Sequence, residues 1–206
     1  MGTTAQKLQY LVNAKAAIDT ALTNKGVTPP TALADYGTAI GTLGYKDKLQ
    51  QIVDRTVTEI TAEDLAGCTQ IGTYTFYNRI MLNSVVIPNT VNLIGYYAFG
   101  SCIRLTNIVI PSSVTNIRGY SFFGCESLTS INLPSSIATI AENAFGYCTR
   151  LTNVTILATN PPTLENANAF DSTNNCPIYV PAASVNAYKA ATNWSSLADR
   201  IFAIQG

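Results

Sequence analysis

The chain contains no histidine, which removes the commonest metal ligand and the usual general base at neutral pH. Charge is scarce as well. Only 12% of residues are charged, with 12 basic side chains balancing 12 acidic ones, so there is no electrostatic footprint for nucleic acid or an acidic membrane surface. No apolar run reaches the roughly 18 residues that span a bilayer, so membrane insertion is not expected. The opening M-G-T-T-A-Q-K-L-Q-Y lacks the basic segment and unbroken apolar stretch of an export signal. The expectation is a protein that stays inside until lysis, or one whose signal has been trimmed.

Recognisable catalytic constellations are missing too. There is no glycine-rich phosphate loop and no nucleophile with an evident base. Ser112, Ser113, Ser135 and Ser136 follow proline, where hydroxyls steady turns by bonding local backbone. Glu63 and Asp64 are adjacent and would point to opposite faces of an extended segment, and Glu126 and Glu142 lie in different repeat positions. The carboxylate pair of a glycoside hydrolase is therefore not formed. A non-enzymatic protein without a cofactor is expected.

What the chain does have is repetition. Y-T-F-Y-N-R-I-M-L-N-S-V-V-I-P (Tyr74 to Pro88) returns as Y-A-F-G-S-C-I-R-L-T-N-I-V-I-P (Tyr97 to Pro111) and Y-S-F-F-G-C-E-S-L-T-S-I-N-L-P (Tyr120 to Pro134). N-A-F-G-Y-C-T-R-L-T-N-V-T-I-L (Asn143 to Leu157) follows, at an unbroken period of 23 residues. Aligned, the copies put Ile71, Ile94, Ile117 and Ile140 in one column and Phe76, Phe99, Phe122 and Phe145 in another. Further apolar columns run Leu82, Leu105, Leu128, Leu151 and Val85, Ile108, Ile131, Val154.

Each L-x-x-I-x-I segment ends in period-2 alternation, the pattern of a strand with one buried face, and proline then stops it. A second extended step follows at Val91 to Ile94, Val114 to Ile117 and Ile137 to Ile140. One such unit cannot bury its own apolar face, so the copies must stack with parallel strands about 4.8 Å apart. The expected fold is a β-rich solenoid, and its period lies within the roughly 20 to 29 residues of leucine-rich repeats.

The stretch A-F-G-S-C-I-R-L-T-N-I-V-I-P-S-S-V-T-N-I, Ala98 to Ile117, resembles the BspA-like leucine-rich repeat of bacterial surface antigens. The resemblance covers roughly residues 60–181. It departs from the pattern L-x-x-L-x-L-x-x-N, because proline follows the strand and no asparagine ladder closes it, so a helical convex face is not implied. Ile60, Leu65 and Cys68 echo the Ile, Phe and Cys columns as a truncated first coil. Ala169 to Trp194 resembles the family's closing segment, with a last Phe170, a strand Ile178 to Val180, and a cap helix from about Ala182 carrying Tyr188.

Residues 1–45 stand outside the repeat. Leu8, Leu11, Val12, Ile18 and Leu22 share one helical face, and Pro29 and Pro30 break the chain before a shorter apolar pattern at Leu33, Tyr36, Ile40 and Leu43. An N-terminal α-helical hairpin is expected, as a cap on the first coil or as an attachment module and a route to a homo-oligomer. T-T-A-Q-K-L-Q-Y-L-V-N-A-K-A-A-I, Thr3 to Ile18, is similar to the opening of some phage and prophage minor tail proteins, and implies a virion location. The expected organisation is a hairpin over 1–45, a solenoid over 46–181 and a cap over 182–206.

Cys102, Cys125 and Cys148 share a column that Cys68 echoes, while Cys176 stands alone. The coil period sets their spacing, so buried structural thiols rather than a metal site are expected; a disulfide between neighbouring coils is left open. Tyr74, Tyr97 and Tyr120 form a column two residues before the phenylalanines, extended by Tyr96. The spacing fits stacked tyrosines that steady the ladder, and equally an exposed aromatic strip contacting sugars or proteins. Small polar residues fill the outward strand positions, Thr106, Thr129 and Thr152 in one row and Asn107, Ser130 and Asn153 in the next. That row suits hydrogen bonding to a glycan or protein as well as simple solvation. The functions in view are recognition of protein or glycan on a cell surface, displayed by a bacterium or a phage particle, and a structural spacer of a tail.

Overall fold

The computed structural model describes residues 57–205. The hairpin expected over 1–45, and with it the tail-protein resemblance, lies outside those residues.

Each coil has three walls. The first is the strand of the L-x-x-I-x-I segment: β1 Glu59–Ile60, β3 Ser84–Val86, β5 Asn107–Val109, β7 Ser130–Leu133, β9 Asn153–Ile156 and β11 Ile178–Val180. The second is a short step, which follows proline in every coil but the first: β2 Gln70–Ile71, β4 Leu93–Ile94, β6 Asn116–Ile117, β8 Thr139–Ile140 and β10 Thr163–Leu164. Every pairing is parallel, and the strands of the second wall, β2, β4, β6, β8 and β10, make one continuous five-stranded sheet. The first wall pairs as β1-β3-β5 and then as β7-β9-β11-β12, with β12 at Ile201–Ala203. Within the repeats the register follows the period, with Val85 beside Ile108 and Ile131 beside Val154.

Proline separates the two strand walls. It cannot continue a ladder, and its carbonyl accepts the N–H three residues on, from Val91, Val114 and Ile137 at 3.1–3.2 Å. The following serines do more than cap these turns. Ser113 and Ser136 Oγ donate to Val91 O and Val114 O of the preceding coil, at 2.6 and 2.7 Å, so they tie coil to coil where local bonding was expected.

The third wall is the A-F-x-x-C segment, which carries no helix in the repeats. Its alternate N–H groups donate to the next coil: Tyr97 to Gly119 O, Phe99 to Ser121 O and Ser101 to Phe123 O, at 3.3, 2.7 and 2.7 Å. Turns of the i to i−3 type, such as Gly100 N–H to Tyr97 O at 3.1 Å, close it locally. Apart from the break between β5 and β7 in the first wall, each wall is thus a hydrogen-bonded ladder along the axis, which satisfies backbone groups that stacking removes from water.

The apolar columns meet inside. Phe99, Phe122 and Phe145 are fully buried, and the rings from Phe76 to Phe145 stack at 5.2–5.3 Å. Each such side chain contributes about 1.5–3 kcal/mol by burial. Phe170 continues the stack at 5.4 Å, from a 3-10 turn at Ala167–Phe170, and Trp194 closes it at 6.1 Å. The cap is built as expected around a helix at Val185–Ala190 carrying buried Tyr188. Tyr188 OH donates to Ala158 O at 2.8 Å and Trp194 Nε1 to Pro162 O at 2.7 Å, so both aromatic polar atoms find carbonyls as they are buried.

The first coil differs from expectation. Ile60 pairs with Val85, not with the Ile71 column. The 11-residue gap between Ile60 and Ile71 is therefore the passage from first wall to second within one coil, as from Val85 to Ile94. Both columns accept isoleucine, so residue type alone does not separate them.

Candidate binding surface

The third wall positions the tyrosines. Its alternating N–H pattern needs the left-handed backbone at two points per coil. Tyr74, Tyr97, Tyr120 and Asn143 have φ of 59°, 50°, 58° and 49°, and Asn78, Ser101, Gly124 and Tyr147 have 57°, 59°, 68° and 58°. Asparagine and glycine tolerate this conformation; tyrosine does so at a cost of about 1–2 kcal/mol. Asn143 in the fourth copy is the residue the backbone favours. Three tyrosines sit in that place for another reason, which is the contact they make with one another.

Tyr74 stacks on Tyr97 at 5.1 Å and 7°, and Tyr97 on Tyr120 at 4.7 Å and 9°. All three are half-buried, and both faces of Tyr97 are covered. The column therefore steadies the ladder and presents ring edges, so a sugar cannot stack on its central ring. Burial, followed by neighbouring Tyr120, Tyr74, Tyr77 and the Glu142 carboxylate, holds the Tyr97 phenol above the ordinary tyrosine range.

Three further rings complete the surface, and the column-by-column reading missed them. Tyr77 packs edge-on to Tyr74 and Tyr97 at 5.3 and 5.7 Å. Phe123 lies 5.4 Å from Tyr120, and Tyr147 5.1 Å from Phe123. Six rings thus form one chain along the rim, and its outermost members are the most open, with Tyr77 43% and Tyr147 52% exposed. The signal was an alternation of ring and glycine at one repeat position: Tyr77, Gly100, Phe123, Gly146. A Cβ at Gly100 would stand 2.9 Å from Tyr97 Cδ1 and 3.1 Å from Tyr77 Cδ2, and one at Gly146 would stand 3.2 Å from Phe123 Cδ2. The glycines make room for the rings of the coil before.

The remaining candidates are placed elsewhere. Tyr96 sits at the corner after β4, 43% exposed, and makes no ring contact among the described residues. Asn107 and Asn153 lie on the first wall, exposed and half-buried respectively, in register with Ser84 and Ser130. In the adjoining row Thr106 and Thr152 hydroxyls donate to Asn83 O and Thr129 O of the preceding coil, at 3.2 and 2.8 Å. Those donors serve the solenoid itself.

The thiols are interior. Cys102, Cys125, Cys148 and Cys176 are buried, Cys68 is half-buried, and all five are free. The Sγ atoms of Cys102, Cys125 and Cys148 donate to Phe76 O, Phe99 O and Phe122 O at 3.1–3.2 Å, a second coil-to-coil bond at each step. Burial pushes Cys102 and Cys148 up to about 12 and Cys125 well above its ordinary value. These are protonated thiols, without the nucleophilic or metal-binding thiolate. Among the described residues no group of three or more Cys, Asp or Glu side chains is placed to hold a metal ion, and no helix is long and apolar enough to cross a membrane.

The profile described as BspA type leucine rich repeat region, in 6 copies, matches residues 69–195, well over half of the chain. The chain belongs to this family. A leucine-rich repeat protein of T. pallidum is similar in structure, with 29% identity and a TM-score of 0.52, covering 57% of this chain and 53% of that one. A leucine rich cell surface protein of Faecalibacterium prausnitzii is 26% identical with a TM-score of 0.54, over 68% of this chain and 34% of its own length. The pneumococcal vaccine antigen PcpA shares the fold at 14% identity and a TM-score of 0.52, over 73% of this chain and 42% of that one. This chain thus spans about a third to a half of these proteins. Among curated protein sequences there is no match.

Proposed function

We propose that this chain is a non-enzymatic recognition module displayed at a bacterial surface, which contacts protein or glycan through the aromatic rim of its third wall. The observation that carries this reading is the continuous chain of six rings ending in exposed Tyr77 and Tyr147. Its inner three members hold a backbone conformation that disfavours them. Rings with few rotatable bonds give contact area at little entropic cost, and a rigid ladder behind them lowers that cost further. Similarity to a protein described as a leucine rich cell surface protein supports the surface location.

The test is capture of matrix proteins, mucins and arrayed glycans by the full chain, compared with the double variant Tyr77→Ser, Tyr147→Ser. Both side chains are largely exposed, so the fold should survive, and circular dichroism checks that it does. Binding by the native chain that falls at least about tenfold in the variant, the scale of one hot-spot contact, supports the rim. Undiminished binding overturns it. A native chain that captures nothing, yet loses assembly into a larger particle when residues 1–45 are removed, supports the structural spacer instead.

A further inference from the structure

One groove lies apart from the rim. It opens over the second wall with a volume of ≈ 370 Å³, between Gln70, Thr73, Leu93, Tyr96 and Arg118. That size is at the low end of small-ligand sites, which run from roughly 300 to 1,000 Å³. Its floor is bare backbone. A Cβ at Gly95 would come within 2.8 Å of Gly72 C and Ile71 O of the preceding coil, so only glycine fits, and the depression lies where Gly72 and Gly95 bring no side chain to the surface. The next residue in that repeat position is Arg118, which raises a cationic wall at the far end.

The side chains around the floor are available. Tyr96 is 43% exposed, and its Cε1 lies 2.9 Å from where a Gly119 Cβ would stand, so Gly119 supports its ring. Arg118 is half-buried; its backbone N–H donates to Ile94 O at 2.9 Å, while its guanidinium makes no hydrogen bond or ion pair among the described residues. Gln70 and Thr73 are exposed, and their side chains make none either. No carboxylate lines the groove; Glu142 stands beyond Gly119, with its Cγ 3.3 Å from that glycine's Cβ position, and does not pair with Arg118.

We infer that this groove is a subsite for a carboxylated pyranose, such as a uronic acid unit of a glycan; the inference rests on the recognition reading above and names its ligand class. Tyr96 supplies a flat apolar face for the sugar's C–H surface. The Arg118 guanidinium meets the carboxylate with two parallel N–H donors, a geometry that lysine lacks. Gln70 and Thr73 bond ring hydroxyls. The open groove takes one sugar unit and leaves its neighbours in the polymer free in solvent.

The experiment is an NMR titration of the isotopically labelled full chain with methyl glucuronide, methyl glucoside and acetate. Glucuronide should give saturable shifts at Gly95, Tyr96 and Arg118, and glucoside should bind at least about tenfold more weakly, the scale of one charge-assisted hydrogen bond. Arg118→Gln should reduce glucuronide to the level of glucoside. Arg118→Lys should recover part of the loss, and Tyr96→Ser should weaken both sugars alike. Equal binding of the two glycosides overturns the role of Arg118. Acetate binding as tightly as glucuronide, unchanged by Tyr96→Ser, makes this a site for an acidic peptide and overturns the sugar. Absence of saturable shifts overturns the groove. The two readings fail separately, because missing glucuronide shifts leave rim-dependent capture standing, and glucuronide shifts in a chain whose capture ignores Tyr77 and Tyr147 leave the groove without the rim.

Discussion

Two aromatic ladders run side by side through three coils of this solenoid, two residues apart in each. The phenylalanines from Phe76 to Phe170 stack in the interior, at 5.2–5.4 Å, and end against Trp194. The tyrosines from Tyr74 to Tyr120 stack at 4.7–5.1 Å, half in solvent and on left-handed backbone. Equal periodicity therefore conceals unequal physics. The inner ladder is where burial energy accumulates. In the outer one ring contact is partly offset by backbone strain, so its tyrosines add less net stability than the phenylalanines and are freer to serve a surface.

The widest break in that comparison comes from pH. Cys102, Cys125 and Cys148 share the interior with the phenylalanines, and burial raises their thiols from 9.0, to about 12 for Cys102 and Cys148 and well above 9.0 for Cys125. Above pH 9 the unfolded chain releases these protons while the native chain keeps them, so the native state binds more protons and loses stability as pH rises. Buried Tyr188, also raised from its ordinary value by burial, acts in the same direction. Urea midpoints should hold up to about pH 9 and fall progressively toward pH 12. A triple Cys→Ala variant should fall less. A midpoint that is flat to pH 11 would show that the thiols reach solvent.

Next in size is a single step of the inner ladder. Phe122→Ala should cost about 3–5 kcal/mol, the range for emptying a fully buried aromatic site, since Phe122 has a ring on each side at 5.3 and 5.2 Å. Tyr97→Asn makes the parallel change outside. It removes two stacked contacts and the edge contact with Tyr77, about 0.5–1.5 kcal/mol each, and relieves about 1–2 kcal/mol of left-handed strain, so the net loss should centre on about 1.5 kcal/mol, well below that of Phe122→Ala. Equilibrium denaturation of both variants decides the matter. If Tyr97→Asn costs as much as Phe122→Ala, the tyrosines belong to the core and the rim is not a free surface.

These two ladders also mark what was legible in the sequence. The buried columns and the alternation before proline follow from hydrophobic period and turn chemistry, while the strand at Ile178–Val180 and the helix carrying Tyr188 were implied by the resemblance to the family's closing segment. The third wall was not legible as a ladder, because its left-handed residues include Tyr74, Tyr97 and Tyr120, a type that gives no local sign of positive φ. Tyr77, Phe123 and Tyr147 escaped a reading by columns because they occupy two repeat positions and alternate with glycine. Phe170 was visible, but its seat against Trp194 and the addition of β12 to the sheet depend on contacts across some 24 residues without a repeat to carry them. Tyr96 was singled out as an extension of the tyrosine column. Its groove depends on how closely Gly95 approaches Gly72, a distance set by coil stacking that glycine spacing alone does not declare.

The smallest effect belongs to an exception within the inner wall. Ser121 occupies the position held by Ala98 and Ala144 in neighbouring coils; it is fully buried, and its Oγ has no hydrogen-bond partner. Its backbone carbonyl accepts from Phe99 N–H, so the main chain needs nothing from the hydroxyl. A buried unpaired hydroxyl carries a desolvation penalty of about 1–3 kcal/mol, against which the extra atom adds little packing. Ser121→Ala should therefore leave stability unchanged or raise it by up to about 1 kcal/mol, with its two alanine neighbours showing that the space accepts a methyl group. A loss of more than that in urea denaturation would mean that the hydroxyl has a partner in solution, and that the wall beneath the tyrosines is more open than its stacked rings indicate.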